Sequence, residues 1–408
     1  MRAEARSALV VGQFLKWIDT ARVSERAAAA SALARAFIDH DLPFEDRCAA
    51  EAALTLLHDD PSSKVRMALA ETLSMSRHAP VQVIAALAAD QPEVAALVIG
   101  RFPLRIFEDF AYIAYIGVLV LLLAVELLGF VGGGSQRWLN LGIINLQPSE
   151  LMKVAIVIAL ARFYAQLPPG NTRTFTALWP ALVMIGLPAA LVMLQPDLGT
   201  ALAISIGGVV VMFVAGLPFW WFGSTAAAGI AALPIFFSFL HDYQQKRVLI
   251  FLDPESDPLG AGYHISQSKI AIGSGGIGGK GFLNGSQSHL DYLPEGHTDF
   301  IFATMAEEWG LIGGLALLFG FFLLLRWSTR VALKARTRFG QLAAAGLTMT
   351  IFFYIAINLM MVMGLAPVVG IPLPLFSYGG SSMLTIMTCV GIILAIENDS
   401  KTGSRRFH

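Results

Sequence analysis

Apolar and polar positions follow two regimes along this chain, and they change over near Gly100. Before it the spacing is that of amphipathic helices. Val65, Leu69 and Leu73 recur on one helical face behind a start at Asp60-Pro61-Ser62, and Asp90-Gln91-Pro92 opens a short helix carrying Val94, Leu97 and Val98. After it come eight apolar runs, at about 110–131, 149–167, 176–195, 198–217, 220–240, 300–325, 342–365 and 378–396. Each approaches the ~20 residues that cross about 30 Å of hydrocarbon. Gln195-Pro196-Asp197 is a tight turn between the third and fourth runs, and a single long polar stretch, 241–299, interrupts the series. The pattern predicts an all-α fold, a polytopic transmembrane helix bundle of about eight spans. A soluble helical segment occupies 1–101, the membrane domain 102–400 and a tail 401–408.

Composition agrees. The 408 residues are 56% hydrophobic and 14% charged, with a mean hydropathy of +0.65, which is the balance of an integral membrane protein. The first hundred residues hold 10 of the 28 basic and 13 of the 29 acidic side chains. The N-terminus carries acidic residues early and no long apolar core, so a cleaved signal peptide is not expected. A net charge of −1 argues against nucleic acid as a partner. Cys48 and Cys389 fall in different regions and support neither a disulfide framework nor a zinc site.

Basic residues in short loops set the orientation. With the N-terminal region cytoplasmic, the inner loops carry Arg173, then Arg330, Lys334, Arg336 and Arg338, then Lys401, Arg405 and Arg406, whereas the short outer loops carry only Arg137. Both termini are then cytoplasmic and the loop 241–299 is extracytoplasmic. Glu150, Lys153, Asp197, Asp299 and the run Ser377–Ser382 all come to the outer ends of spans, which points to a cavity open on that face.

Asp299, in His297-Thr298-Asp299-Phe300, stands where water meets an apolar helix. Partial desolvation there would favour a proton acceptor; the plainer account is a carboxylate favoured by a helix N-terminus. Glu307 and Glu308 lie eight and nine residues on, about 12–13 Å along a helix, and two such carboxylates call for a structural basic partner. Glu150 and Lys153 are an i, i+3 pair, either self-neutralising or in contact with substrate. Arg137, beside Trp138, is an interfacial anchor or a phosphate clamp. The run IAIGSGGIGGKG contains Gly273-x-Gly275-x-x-Gly278 without a βαβ unit, and Gly281 rather than Ser or Thr follows Lys280. It is therefore no nucleotide loop, and a flexible loop near a large substrate is expected. His289, Asp291, Glu295 and His297 are either divalent-cation ligands or solvated loop residues.

Several phrases resemble known families. DDPSSKVRMALAETL is similar to a HEAT-type repeat, whose paired helices stack into a solenoid, and suggests a marginally stable appendage or docking module. DPESDPLGAGY (253–263), QSKIAIGSGGIGGKG (267–281), LPEGHTDFIFATMAEE (293–308) and PLPLFSYGGSS (372–382), with RWLNLG (137–142), QPSE (147–150) and QPDLGT (195–200), resemble the SEDS family over about 102–408. GSQSHLDYLPEGHTDF is nearer the wording of its elongation branch than of its division branch.

The resemblance implies a peptidoglycan glycosyltransferase of the cytoplasmic (inner) membrane that polymerises lipid II on the extracytoplasmic face for cell elongation and rod shape. Asp299 falls on the family's essential aspartate. It would take the proton of an acceptor 4-hydroxyl that attacks a lipid-pyrophosphate donor, giving a β-1,4 link and releasing undecaprenyl pyrophosphate. Glu150, Lys153, Arg137, Gln267, Lys269, Ser377 and Ser381 are the candidate substrate contacts. Positive charge for the leaving group would come from a divalent cation, Mg or Mn, and from Arg137, Lys153 or Lys269; no nucleotide is implied. The implied partners are lipid II and the lipid-linked glycan strand, a class B penicillin-binding protein as transpeptidase, and other elongation-complex membrane proteins. The family has ten spans, and here the helical segment stands where the first two would be. The competing readings are a lipid II transporter and a non-catalytic scaffold of the elongation machinery.

Overall fold

The computed structural model describes residues 17, 20–39, 43–74, 76, 79–88, 90–132, 135–140, 145–168, 170–239, 245, 261–289, 292–293 and 296–405. Contacts divide the chain into two compact units, Met1–Ile106 with Val390–His408, and Phe107–Cys389.

The first unit contains α1 (Val23–Asp39), α2 (Phe44–His58), α3 (Ser63–Leu73), α4 (Val81–Ala88) and α5 (Pro92–Arg101). The short α6 (Leu104–Asp109) follows. The predicted face of α3 is its buried face: Val65, Leu69 and Leu73 enter a core with Ala30, Ala34, Leu54 and Val94. Asp60 organises the polar side of this core. Arg26 donates to its two carboxylate oxygens at 2.7 and 3.1 Å, the Ser62 N–H to one of them at 2.8 Å, and Arg66 to its main-chain carbonyl at 2.5 Å. Arg66 also reaches Asp90 at 2.6 Å. Here too α5 meets the end of the last helix, α16 (Gly380–Arg405): Asn398 donates to the Gly100 carbonyl at 3.0 Å.

The second unit runs through α7 (Ala111–Leu128), a small antiparallel sheet of β1 (Phe130–Gly132), β2 (Ser135–Asn140) and β3 (Asn145–Leu146), and α8 (Pro148–Gln166). It continues with α9 (Phe175–Leu194), α10 (Leu198–Val214), α11 (Phe219–Phe239), α12 (Ala261–Ser274), α13 (Ser286–His289), α14 (Ile301–Lys334), α15 (Arg338–Val362) and the first part of α16. Every predicted span is a helix. Among the described residues five helices are long and apolar enough to cross a membrane.

Helix α8 is the axis of this unit. It is apolar almost all round and buried from Pro148 to Ala161, as such a helix must be. It packs against α7, α10 and α15. Small residues bring the backbones together. A Cβ on Gly346 of α15 would stand 2.6 Å from Val157 of α8 and from Val211 of α10, and one on Gly208 of α10 would stand 2.5 Å from Ile185 of α9. Leu127, Phe175, Phe219 and Leu333, by contrast, are exposed on the outside, where lipid takes the place of protein.

The sixth predicted span differs in detail. Gly310 has φ 64° and ψ −161°, which breaks α14 into a short helix before it and a long one after it. Both pieces are apolar, so the hydropathy pattern did not show the break. The polar stretch 241–299 likewise contains two helices, α12 and α13.

Asp60 gives the first unit a pH dependence. Burial alone would raise its pKa, but the hydrogen bonds from Arg26 and Ser62 and the charges of Arg26 and Arg66 outweigh it and hold the pKa below its ordinary value. Its stabilising contribution is therefore complete above the ordinary carboxylate range and is lost as pH falls through the depressed pKa. The protection of amides from hydrogen exchange over residues 23–101 of the intact protein, relative to the intrinsic rate at each pH, should fall on acidification below about pH 4. Asp60→Asn should lower it already at neutral pH, and equal protection in variant and wild type would contradict this role.

Candidate active site

Asp299 lies in the turn that leads into α14, and three segments grip that turn. Asn358 of α15 donates its side-chain amide to the Asp299 carbonyl at 2.8 Å and to the Ile371 carbonyl at 2.8 Å. Ser377 donates to the Thr298 carbonyl at 2.6 Å while accepting the Leu373 N–H at 2.7 Å. The Tyr378 N–H donates to the His297 carbonyl at 3.0 Å. Gly370, with φ 68°, passes so near that a Cβ there would lie 3.5 Å from Asp299 Oδ2. Beneath the turn Phe300 is buried with Ala271, Leu293, Ala303, Met361 and Val362. The carboxylate thus stands partly exposed on the rim of an apolar cluster, with its backbone fixed.

A second polar cluster is fully interior. Lys153 of α8 lies 2.6 Å from Glu150 and donates to the Tyr354 hydroxyl at 2.5 Å, and that hydroxyl donates to the other Glu150 oxygen. Tyr354 and Lys153 are 0% and 1% exposed. The sequence offered the Glu150–Lys153 pair at helical spacing but not its third member, 201 residues away from Lys153. Tyr354 and Asn358 are one turn apart on α15, about 6 Å along its axis, so one helix face serves both clusters. A small cleft lined by Tyr354, Leu373, Ser377, Ser382, Met383 and Ile386 lies beside them.

Arg137 reaches from β2 to the Gln195–Asp197 turn: Nε donates to the Gln195 carbonyl at 3.0 Å, Nη2 to the Pro196 carbonyl, and Nη1 stands 3.3 Å from Asp197 Oδ2. Asp197 in turn caps α10 by accepting the Thr200 N–H at 3.0 Å. Arg137 therefore ties sheet to turn. On α12, Gln267 is half-buried and Lys269 exposed, and Lys269 passes over Gly364, where a Cβ would lie 2.4 Å from its Cε. Ser381, buried in the first turn of α16, gives its carbonyl to Thr385 at 3.0 Å. Of the three candidate cations, Lys153 is enclosed by Glu150 and Tyr354, Arg137 is held on its turn, and Lys269 is open to solvent.

Among the described residues no three His, Cys, Asp or Glu side chains converge. Asp291 and Glu295 of the loop set lie outside the described residues, and His297 is exposed. Among the described residues the donors do not form a cation site by themselves. One carboxylate suits a divalent ion only together with phosphate oxygens of a substrate.

The glycine run is not a loose loop. Residues 275–281 lie as a strap across the break in α14. The Leu311 and Ile312 N–H groups, without helical partners there, donate to the Gly276 and Ile277 carbonyls at 2.9 and 3.3 Å. The Lys280 and Gly281 N–H groups donate to the Glu307 and Glu308 carbonyls, each at 3.0 Å. Glycines allow this approach: a Cβ on Gly275 would stand 2.0 Å from the Ala306 carbonyl oxygen, and one on Gly279 2.1 Å from that of Glu308. The expected basic partner of the paired glutamates is Lys280, 2.6 Å from the buried Glu307, which also accepts from Ser286 and from the Gln287 N–H. Backbone groups away from water must find such partners.

Comparison with known proteins bears on this arrangement. A family model described as "Cell cycle protein" (FtsW, RodA, SpoVE) matches residues 74–402. Peptidoglycan glycosyltransferase MrdB of Escherichia coli K12 is 47% identical over 315 residues, 76% of this chain and 84% of that protein. A solved structure described as coordinating polymerization and crosslinking in a peptidoglycan synthase complex superposes with a TM-score of 0.64 at 30% identity, over 92% of this chain and 97% of the other. The rod shape determining protein RodA of Thermus thermophilus gives 0.55 at 26% identity, over 92% and 95%.

The strap makes a testable distinction between two glycines. Gly279→Ala, with φ 78° and no room for a Cβ, should lower the thermal unfolding midpoint in detergent by about 5 °C or more, whereas Gly273→Ala, which meets open space, should leave it nearly unchanged. Equal tolerance at both positions would mean that the strap is not seated in the helix break.

Proposed function

The chain belongs to the FtsW, RodA and SpoVE family of cell cycle proteins, and from that membership we propose how its site works as a peptidoglycan glycosyltransferase of cell elongation. It is a multi-pass membrane protein. The substrate in this reading is lipid II, met on the extracytoplasmic face, and Asp299 is the general base. The observation that carries the reading is the turn itself: one partly exposed carboxylate, on an apolar rim, with its backbone fixed by Asn358 and Ser377.

The carboxylate accepts the proton of the acceptor sugar 4-hydroxyl as that oxygen attacks the anomeric carbon of the donor. The bond from that carbon to the diphosphate oxygen breaks, and undecaprenyl diphosphate leaves with the electron pair. Displacement from the opposite side inverts the centre and gives the β-1,4 link. A fixed base removes the orientation cost of this step. Lys269, on the exposed side of α12, is the cation placed to meet the negative charge of the leaving group. Lys153 and Arg137 keep structural roles, and a divalent cation, Mg or Mn, held through the diphosphate oxygens of the substrate would add positive charge for the leaving group. A class B penicillin-binding protein is the transpeptidase that would cross-link the product. The similarity to a synthase complex that couples polymerization to crosslinking favours such a partner.

Purified wild type should convert lipid II to glycan, and Asp299→Asn should lower the rate by at least about 100-fold without loss of folded protein. Equal glycan from the two would sink the base assignment. A wild type that makes no glycan but moves labelled lipid II between leaflets would establish the transporter instead.

A further inference from the structure

Asn358 is fully buried and makes two bonds with one nitrogen, to the Asp299 carbonyl and to the Ile371 carbonyl, both at 2.8 Å. Its own oxygen, Oδ1, is buried with no partner among the described residues. Both neighbours of the amide nitrogen are acceptors, so only the donor end of the side chain fits there. The residue thus joins two segments through its donor end. One segment carries Asp299. The other runs from Gly370, which lies beside the Asp299 carboxylate, into the loop that ends at Ser377.

The chemistry of the position is narrow. Two carbonyls close together need two N–H donors on one short side chain. A lysine or arginine would supply donors, but its charge would draw the proton affinity of the neighbouring carboxylate down. A serine has one hydrogen. Asparagine gives two donors and no charge.

We propose that Asn358 is a positioning residue for the transfer reaction: its side-chain amide, bonded to the main-chain carbonyls of Asp299 and Ile371, sets where the Asp299 carboxylate meets the acceptor hydroxyl. This rests on the reading of Asp299 as general base. It adds that the base depends on a donor 59 residues away on α15, one turn from the Tyr354 that holds Lys153.

The test uses the purified full-length protein and lipid II. Asn358→Leu keeps the approximate volume and removes both donors; kcat per folded molecule should fall by about 100-fold with KM within about threefold of wild type, and the unfolding midpoint should fall because two carbonyls lose their donor. Asn358→Asp keeps the shape and gives a second readout should the leucine variant fail to fold. Its ionised form turns a negative oxygen toward two carbonyls, whereas its protonated form donates to one of them. The ratio of its rate to the wild-type rate should therefore rise by about tenfold between about pH 9 and about pH 6. A wild-type kcat in Asn358→Leu, a change in KM alone, or a flat ratio for Asn358→Asp would each overturn the proposal. In those cases an active wild type beside an inactive Asp299→Asn leaves the base assignment standing; an inactive wild type removes the reading beneath both.

Discussion

A turn that enters a helix at the edge of an apolar bundle has main-chain carbonyl groups outside any helical ladder, and the rest of the site follows from how they are satisfied. The carbonyls of His297, Thr298 and Asp299 are each taken by a different donor, the Tyr378 N–H, the Ser377 hydroxyl and the Asn358 amide. These donors lie on α15 and on the segment before α16, so meeting the needs of the turn also closes two distant parts of the chain around it. The Asp299 carboxylate is thereby oriented by its backbone on the rim.

The same rule shapes the break in α14. At Gly310 the helix abandons its own hydrogen-bond ladder, and residues 276–281 supply the missing partners in both directions. Glu307 anchors the far side of that strap through Lys280 and the Gln287 N–H. Deeper in the bundle Glu150, Lys153 and Tyr354 neutralise and hydrogen-bond one another, the arrangement that keeps a buried ion pair from being left uncompensated. The turn at Asp299, the strap and the buried cluster are three answers to the same need for internal partners.

Much of the fold was legible in the sequence because apolar runs of membrane length have few alternatives; the eight runs became eight helices. Local relations were legible as well, such as the i, i+3 pair of Glu150 and Lys153 and the start at Asp60-Pro61-Ser62. Relations between distant segments were not. Nothing near Tyr354 or Asn358 in FFYIAINLM announces what lies opposite them, although their i, i+4 spacing marks two polar groups on one face of an otherwise apolar helix. The glycine run was misread as flexible for a related reason. A sequence shows that side chains are missing from 273–281 but not that the backbone of α14 fills the space. Arg137 was balanced between anchor and phosphate clamp, and its three bonds to the Gln195–Asp197 turn describe a third role, set by a three-stranded sheet too short to leave a pattern.

In the proposed mechanism the position of the carboxylate at 299, and not its charge alone, makes the site. The most direct measurement is the rate of glycan formation from lipid II by Asp299→Glu, which keeps the acid and the backbone clamp but moves the oxygens outward by one methylene, about 1.5 Å. A loss of about 100-fold in a folded protein is the predicted result; a rate close to that of wild type would contradict the account.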